Sequence, residues 1–277
     1  MTLASVPSDV AALLGPHPEE RSGEGECRVL AGRGLVAKFG PRFLVEREVW
    51  VLRQGELPVA VPELVAGGPG WLVVPEVTDT AESWSEEDLR GALADLASLH
   101  QAFQDGPLEG PLRRITEDAG VDALLEDGRR SGTPLPPPLD RLLDDPTPLL
   151  EVLRSQPVTL LHGDPWPGNV RRPRPGRRVW IDWEQASAGP AAADLASWLD
   201  QTPWFLGRDI DPGADLDHYL EARGNDLHRP DFTRVVDAAS VLWFLAFDVP
   251  RLPTRATPEQ AAAMTAARQR VADRLLG

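Results

Sequence analysis

The spacing of apolar positions predicts that the first quarter of the chain consists mainly of β-strands. Two apolar runs, at 27–30 and 35–39, are separated by a glycine-containing turn and predict a β-hairpin. Further apolar runs at 61–65 and 71–74 lie on either side of a glycine- and proline-rich segment and predict two more strands. Between the two pairs, apolar residues at helical spacing predict a helix over 43–54.

After residue 77 the pattern becomes mainly helical. Ser85 followed by three acidic residues is typical of a helix start, because its hydroxyl can cap free amides and the acids favour the helix amino terminus. Leucines at helical spacing then continue to His100. Strands return only at 159–161 and 179–181, and the rest of the chain is predicted to be largely helical.

These elements predict an α+β fold with two lobes. The smaller, β-rich lobe is expected over residues 1–76 and the larger, mainly helical lobe over residues 77–277. Ligand sites commonly form where two such units meet, so we expect the functional site in the cleft between the lobes.

Composition narrows the classes of function. The chain has 277 residues, of which 42% are hydrophobic, and this is enough for a large buried core. Its formal net charge of −15 argues against nucleic acid as a partner, because phosphates attract Lys and Arg. No segment has the form of a membrane span or signal peptide, and Cys27 is the only cysteine. We therefore expect a cytoplasmic protein with no membrane partner; the sequence leaves the oligomeric state open.

One short loop and the strand after it carry the side chains with the clearest chemistry. Asp164 precedes a turn that contains two prolines and Gly168, which together hold the carboxylate in a fixed direction. Asn169 follows Asp164 by five residues, and Asp182 follows Asn169 by thirteen. Protein kinases space their catalytic Asp and their metal-binding Asn and Asp similarly. We therefore predict that Asp164 orients an acceptor hydroxyl and that Asn169 and Asp182 bind Mg²⁺.

Neighbouring residues have simpler interpretations. A lone aspartate in such a turn would merely cap its own loop, but Asn169 and Asp182 in register weaken this alternative for Asp164. His162 suits a ring that braces the loop through hydrogen bonds better than it suits a base. The arginine-rich segment 171–178 is interpreted as a solvated hairpin tip and not as an anion site.

Lys38 ends an apolar strand, and a lysine on the inner face of a strand needs a charged partner. Nucleotide phosphates or a helix carboxylate would serve; the alternative is an exposed lysine at the strand end. Glu46 and Glu48 both lie on the following helix, and Glu48 is favoured because it is nearer the apolar stripe. The segment 22–26 contains two glycines that could approach phosphate, but its glutamates make a poor anion nest.

Three motifs resemble those of the aminoglycoside phosphotransferase and choline kinase group, which are small-molecule relatives of protein kinases. They are His-Gly-Asp-x-x-x-x-Asn at 162–169, Ile-Asp-Trp-Glu at 181–184 and Gly-Pro-x-x-x-Asp-Leu-Ala at 189–196. The resemblance implies a protein-kinase-like bilobal fold. It also argues against a protein substrate, because the first motif differs from His-Arg-Asp and no Ala-Pro-Glu motif follows Asp182.

The resemblance implies a role for each matching position. Asp164 would be the catalytic base, Asn169 and Asp182 the magnesium ligands, and Asp194 a structural brace of the loop. The residues 1–76 would form the nucleotide-binding lobe, with adenine against the main chain at Pro75 and Val77. The implied nucleotide-binding residues are Lys38, Glu48 (or Glu46), Val74, Pro75 and Val77. ATP is the expected cosubstrate, and GTP stays possible because the glycine-bearing segment departs from the family pattern.

The expected function is ATP-dependent transfer of a phosphate to a hydroxyl of a small molecule, aminoglycoside-like or another metabolite. Acidic residues are dense in the larger lobe and would suit a cationic acceptor, although they equally suit solvated helix faces. Five tryptophans could form an aromatic wall for a sugar or a quaternary amine, although core packing is the simpler interpretation for most of them. They are Trp166, Trp183, Trp198, Trp204 and Trp243. Two alternatives are a protein or regulatory kinase and a non-catalytic nucleotide-binding module.

Overall fold

The computed structural model describes residues 6–21, 27–79, 83–104, 106–224 and 226–277. The glycine-bearing segment at 22–26 therefore lies outside the described residues.

The amino-terminal part contains one antiparallel sheet and two helices. Its strands are β1 (Glu19–Arg21), β2 (Arg28–Gly32), β3 (Leu35–Phe39), β4 (Ala66–Gly68) and β5 (Trp71–Pro75). They lie in the order β1-β2-β3-β5-β4, so β3 is central. Helix α1 (Ser8–Leu14) packs on one face of this sheet, and α2 (Arg42–Leu52) follows β3. The predicted hairpin, the strand at 71–74 and the helix over 43–54 are thus confirmed.

The predicted strand at 61–65 is wrong. The fourth strand begins at Ala66, and in the preceding segment Val65 donates one main-chain hydrogen bond, of 2.9 Å, to Val73. Pro62 lies within the segment and has no amide hydrogen, so this stretch cannot complete the ladder of a strand beside β5.

Strand alternation gives the amino-terminal sheet two different faces. Ala37 and Val73 are fully buried on the face that packs against Val10 and Leu14 of α1. Lys38 on β3 therefore points to the opposite face. This geometry turns a charged side chain toward the rest of the protein.

The remainder of the chain is mainly helical. Its helices are α3 (Glu86–Ala102), α4 (Asp118–Ser131), α5 (Pro137–Asp144), α6 (Thr147–Leu153), α7 (Ala192–Leu206), α8 (Pro212–Ala222), α9 (Arg229–Trp243), α10 (Leu252–Arg255) and α11 (Pro258–Leu276). The predicted start at Ser85 is confirmed, because the Ser85 hydroxyl accepts a hydrogen bond from the Asp88 amide and the Asp88 carboxylate accepts one from the Ser85 amide. A single turn of π-helix, Phe244–Asp248, continues α9.

Two small sheets lie among these helices. Their strands are β6 (Arg113–Arg114), β7 (Val158–Leu161), β8 (Val170–Arg174), β9 (Arg177–Trp180) and β10 (Ser187–Pro190). The order β6-β10-β7 forms one sheet, and β8 and β9 form a hairpin. Strands β6 and β10 are absent from the sequence predictions, because neither segment shows alternation or β-branched residues. The loop that carries Asp164 runs from β7 to β8.

The interpretation of segment 171–178 as a solvated tip holds only for its middle. Arg172 is 5% exposed, and its guanidinium lies 4.4 Å from the centre of the Trp84 ring and 3.3 Å from the Asp88 carboxylate. Arg178 bonds to Asp95 on α3 at 2.7 Å. Burial of an arginine requires such partners, and they attach the hairpin to α3.

Across the described ranges, no helix is both long enough and apolar enough to cross a membrane.

An acidic pair lies where α7, the π-helical turn and α11 meet. Asp200 on α7 forms an ion pair of 2.5 Å with Arg268 on α11 and accepts a hydrogen bond from Ser240. Burial and the nearby Asp200 carboxylate raise the pKa of Asp248 to about 6, against the opposing charges of Arg268 and Arg251. Between about pH 4 and about pH 6 the folded protein thus binds a proton that the unfolded chain does not.

We expect Asp248→Asn to raise the free energy of unfolding by about 1–2 kcal/mol near pH 8 and by almost nothing near pH 4. The free energy of unfolding of the wild type falls as pH rises from about 4 to about 6, because Asp248 must then lose its proton in a buried place. The asparagine amide does not titrate, so the variant does not lose this stability. Urea unfolding at both pH values measures it, with exposed Asp127→Asn on α4 as the matched control. An equal gain at both pH values would contradict the assignment.

Candidate active site

A buried carboxylate holds the loop between β7 and β8. Asp194, at the start of α7, accepts hydrogen bonds from the main-chain amides of His162 (2.7 Å) and Gly163 (2.9 Å). The side chain of Asp194 is fully buried and also contacts His100 Nε2 at 3.1 Å. Because the loop amides bond to a group that water does not reach, the loop has a defined position. This is the bracing geometry that the resemblance implies for Asp194.

His162 lies within the protein and not at its surface. Its ring is 4.4 Å from the ring centre of Trp183 and 5.3 Å from that of Trp180, and Nε2 donates to the Ile181 carbonyl at 3.0 Å. Burial lowers the pKa of His162, so the neutral ring is favoured. The structure thus gives His162 and Trp183 packing positions, in line with the sequence interpretation.

The carboxylate of Asp164 is held at both oxygens by amides. Asn169 Nδ2 donates to Oδ2 at 3.0 Å, and Gln201 Nε2 donates to Oδ1 at 3.1 Å. Gln201 lies on α7 and also donates to Ser197 Oγ at 2.7 Å. The sequence analysis missed Gln201; its only signal is that it follows Asp194 by seven residues, two helical turns along the same face.

Asn169 links Asp164 to the segment that carries Asp182. Besides the Asp164 carboxylate, its Nδ2 contacts the Asp164 carbonyl at 2.9 Å. Both amide hydrogens are therefore used, and the carbonyl oxygen Oδ1 is the atom that can face a ligand. The main-chain amide of Ile181 donates to the main-chain carbonyl of Asn169 at 2.9 Å, so the residue before Asp182 is joined to this pair.

Lys38 lies among three carboxylates. Its Nζ is 2.9 Å from Glu48, 2.6 Å from Glu184 and also bonded to Asp182, while the lysine is only 8% exposed. Burial by itself would lower the pKa of Lys38, but the charges of Glu48, Asp182 and Glu184 outweigh it and hold the pKa well above its ordinary value. Lys38 is therefore a permanent cation in this site.

Glu48, and not Glu46, contacts Lys38. Glu48 is buried on the inner side of α2, while Glu46 forms an i,i+4 ion pair with Arg42 at the surface.

Glu184 is the second residue that the sequence analysis missed as a site residue. The signal was present, because Glu184 is an acid two residues after Asp182 within the quoted Ile-Asp-Trp-Glu motif.

Asp182 has a backbone conformation that few residues adopt. Its φ is 65°, in the left-handed region, and the short helical turn Trp183–Gln185 follows it. Aspartate tolerates this region better than most residues, but the conformation still costs about 1 kcal/mol. The turn aims Asp182 and Glu184 at Lys38.

The donor set suits a divalent cation that prefers oxygen ligands. One oxygen from each of Glu48, Asp182 and Glu184 lies within 4.8 Å of the others. Three carboxylates face one ammonium, so the group carries two formal negative charges in excess. Glu184 Oε2 is buried and, apart from its ion pair with Lys38, has no hydrogen-bond partner among the described residues. Carboxylate oxygens of this kind are ligands that suit Mg²⁺, and the amide oxygen of Asn169 is a ligand of the same class.

The residues predicted to contact the nucleotide base lie at the end of β5. Val74 pairs with Val36 and Pro75 with Leu35 across the β3–β5 ladder. Since Lys38 pairs with Leu72 two residues earlier, alternation puts Val74 on the same face of the sheet as Lys38. Val77 lies just beyond the strand, on the segment that leads toward α3.

Comparison with known proteins gives one family and many related structures. The family model described as the phosphotransferase enzyme family matches residues 30–233. No curated protein sequence matches this chain. A choline/ethanolamine kinase family protein from Mesorhizobium loti is 18% identical with a TM-score of 0.61, and the match covers 99% of this chain and 92% of that one.

Two further structures have bound ligands. An amicoumacin kinase in complex with AMP-PNP and Ca²⁺ is 17% identical with a TM-score of 0.64, covering 96% of this chain and 92% of that one. An ADP-bound aminoglycoside phosphotransferase is 15% identical with a TM-score of 0.63, covering 96% and 97%. At these identities the likeness establishes the fold, and the predicted α+β, protein-kinase-like fold is confirmed. The lobe boundary at residue 76 stays a prediction.

Gly163 provides a test of how tightly the loop is packed. Its φ is +85°, and a Cβ atom there would lie 1.9 Å from the Gln185 carbonyl oxygen. We expect Gly163→Ala to lower the free energy of unfolding by about 3 kcal/mol or more. Gly176 has a similar φ of +71° but nothing within 4 Å of its would-be Cβ, so Gly176→Ala should cost only about 1 kcal/mol. Urea unfolding compares the two; equal losses would contradict the close packing at Gly163.

Proposed function

Because this chain belongs to the phosphotransferase enzyme family, we propose that it transfers the γ-phosphate of ATP to a hydroxyl group of a small molecule. The observation that best supports this proposal is one connected set of groups. Asp164 bonds to Asn169, Asn169 bonds to the segment before Asp182, and Asp182 bonds to Lys38. Phosphoryl transfer needs such a set, with one carboxylate for the acceptor and oxygen ligands and a cation for the nucleotide phosphates.

Asp164 is the proposed catalytic base. Two amide donors fix its carboxylate, so it can align the acceptor hydroxyl without a cost of reorganisation at the moment of reaction. The acceptor oxygen forms a bond to the γ-phosphorus while the bond from that phosphorus to the β–γ bridging oxygen breaks. ADP leaves with the electron pair, and the hydroxyl proton passes to Asp164. Positioning and electrostatics supply most of the rate.

Lys38, Asn169, Asp182 and Glu184 are the proposed phosphate- and metal-binding groups. Lys38 would contact the α- and β-phosphates and keep its bond to Glu48, which is 2.9 Å away. Asp182 and Asn169, with Glu184 as an additional carboxylate, would hold Mg²⁺. When bound, that ion neutralises charge on the β- and γ-phosphates.

Adenine is placed against the main chain of Pro75 and Val77, with Val74 beside it, because Val74 shares the sheet face of Lys38. GTP stays an alternative to ATP. A single cysteine, Cys27, supports action in a reducing cytoplasm.

The proposed acceptor is a small molecule, either aminoglycoside-like or another metabolite, and cationic compounds are included. Support comes from solved relatives whose names state an aminoglycoside or amicoumacin as the compound acted on. One alternative function is that of a protein or regulatory kinase. A second is a non-catalytic nucleotide-binding role, which the variants described next would reveal.

We expect Asp164→Asn to lower kcat by about a hundredfold or more while nucleotide affinity changes less than about threefold, because the residue acts on the acceptor and not on ATP. Coupled ADP release with MgATP and a panel of aminoglycosides, amino alcohols and sugars measures turnover; calorimetry with Mg-AMP-PNP measures affinity. Asp127→Asn is the matched control. Full activity in Asp164→Asn would contradict the assignment of Asp164 as the catalytic base.

The metal assignment has its own test. We expect Asp182→Asn to abolish magnesium-dependent binding of AMP-PNP, and Glu184→Gln to weaken it about tenfold, because each removes a charged oxygen ligand. Glu46→Gln should leave the affinity unchanged, since Glu46 lies at the surface and forms its ion pair with Arg42. Titration calorimetry with and without Mg²⁺ distinguishes these cases. An equal affinity of Glu184→Gln and Glu46→Gln would remove Glu184 from the metal site.

A further inference from the structure

Two arginines without a carboxylate partner lie where helix α2 meets the segment that leads into β6. Arg47 on α2 is 8% exposed, and its Nε donates to the Pro111 carbonyl at 3.1 Å. Arg113 on β6 is half-buried and follows Pro111 by two residues, which span at most about 7 Å of chain. Within the described ranges neither arginine forms an ion pair. We name these two residues the arginine pair.

The two positive charges of the arginine pair act on each other. Burial, and after it the charge of Arg113, lower the pKa of Arg47 to about 10. Burial also lowers the pKa of Arg113. Both guanidiniums still carry their charge at neutral pH. The protein therefore holds two like charges together, partly withdrawn from water and without an opposite charge, which is an unfavourable arrangement unless an anion completes it.

Other arginines that are buried or half-buried in the described part of the chain each have a carboxylate at 3.9 Å or less. They are Arg28, Arg129, Arg171, Arg172, Arg178, Arg223 and Arg268. The chain also has 43 acidic residues against 28 basic ones, so carboxylates are abundant. The lack of one at the arginine pair is thus a local property of this place and not of the chain as a whole.

Acidic residues that neighbour the arginine pair in sequence have other partners. Glu46 forms its ion pair with Arg42, and Glu48 contacts Lys38. On the other side of the pair, Glu117 lies 3.5 Å from Arg114. The local carboxylates are therefore taken, and the arginine pair is left for an anion that the chain itself does not supply.

The surroundings of Arg47 allow an ion to reach the pair from solvent. The Phe43 ring, whose centre is 5.3 Å from the guanidinium carbon of Arg47, belongs to a residue that is 51% exposed. The arginine pair thus lies at the edge of the fold. Apart from the bond to Pro111, the Arg47 side chain makes no hydrogen bond to the described residues, so it has N–H donors to spare.

The charge and the donors of the pair favour a phosphate group. A guanidinium offers several N–H donors in one plane, which suits paired hydrogen bonds to the oxygens of a phosphate or a carboxylate. A carboxylate carries one negative charge and would neutralise only half of the pair. A phosphate that is free or attached through one ester bond carries close to two, together with at least three acceptor oxygens.

We propose that Arg47 and Arg113 form a binding site for a phosphate dianion, either inorganic phosphate or a small phosphate monoester, separate from the nucleotide site around Lys38. Arg47 directly precedes Glu48 on α2, and Arg113 pairs with Ser187, which follows Glu184 by three residues. A bound anion would therefore join α2 to the β6–β10 pair close to both carboxylates.

The dependence of protein stability on phosphate tests the site. The free energy of unfolding in urea is measured near pH 8 with increasing inorganic phosphate, glycerol 3-phosphate, acetate or chloride at one ionic strength, and it gives the apparent Kd of the folded protein. We expect both phosphates to stabilise the wild type and acetate to act no differently from chloride. The phosphate compound with the lower Kd identifies the natural source of the anion.

Arg113→Gln is the decisive variant, because the Arg113 side chain has no hydrogen bond to lose in the described part of the chain. We expect Arg113→Gln and Arg47→Gln each to raise the Kd for phosphate about tenfold or more, since each removes a charge-assisted partner. Arg114→Gln is the matched control: Arg114 is the exposed neighbour on the same strand, and its variant should keep the affinity of the wild type.

Two outcomes overturn the proposal. One is that phosphate stabilises the wild type no more than chloride does. The other is that Arg113→Gln binds phosphate as tightly as Arg114→Gln, which would show that phosphate acts elsewhere.

Saturating Mg-AMP-PNP separates this site from the nucleotide site. We expect phosphate to stabilise the nucleotide-bound protein with the same Kd, within about threefold, because the arginine pair does not contact Lys38. Loss of the phosphate effect on nucleotide binding would place the anion at Lys38 and overturn the proposal. The comparison of Arg113→Gln with Arg114→Gln needs no turnover, so it decides the anion site whether or not the chain proves to be a kinase.

Discussion

The burial of one ammonium group constrains the whole site. Lys38 could not stay charged at 8% exposure without partners, and its partners come from α2 and from the turn after β9. The same contacts therefore join the amino-terminal sheet to the helical part of the chain. Because three carboxylates surround one cation, the group has an excess of negative charge and can accept a further positive charge. A metal–nucleotide complex would supply that charge and also the phosphates for Lys38.

A second buried charge organises the other half of the site. Asp194 is fully enclosed and takes the amide hydrogens of the loop, while the positive φ of Gly163 lets that loop pass close to the Gln185 carbonyl. Asp182 stores a little backbone strain in the left-handed region. Rigid packing of this kind positions Asp164 before any ligand arrives, which is the main contribution that a protein makes to phosphoryl transfer.

Helix α7 combines three tasks along one side. Asp194 braces the loop, Gln201 orients the Asp164 carboxylate, and Trp204 and Phe205 form the exposed end. Each lies three to seven residues from the last, which is the spacing of one helix face. Asp194 and Trp204 are ten residues apart on α7, so the exposed carboxyl end of the helix is separate from the buried Asp194 brace.

The sequence by itself determined the α+β class, the hairpin that carries Lys38 and the capped helix at Ser85, and it predicted Asp164, Asn169 and Asp182 as site residues. These depend on local spacing, turn residues and short-range patterns, which a sequence displays directly. The apolar stripe of the helix already favoured Glu48 over Glu46, and the contact with Lys38 agrees with it. The entry of Glu184 into the cluster and the bond from Gln201 to Asp164 were decided only by the tertiary structure. Lys38 and Glu184 are 146 residues apart and Asp164 and Gln201 are 37 apart, so no local pattern specifies their contact. The strand predicted at 61–65 failed for the same reason, because the pairing partner and not the apolar run decides where a strand begins.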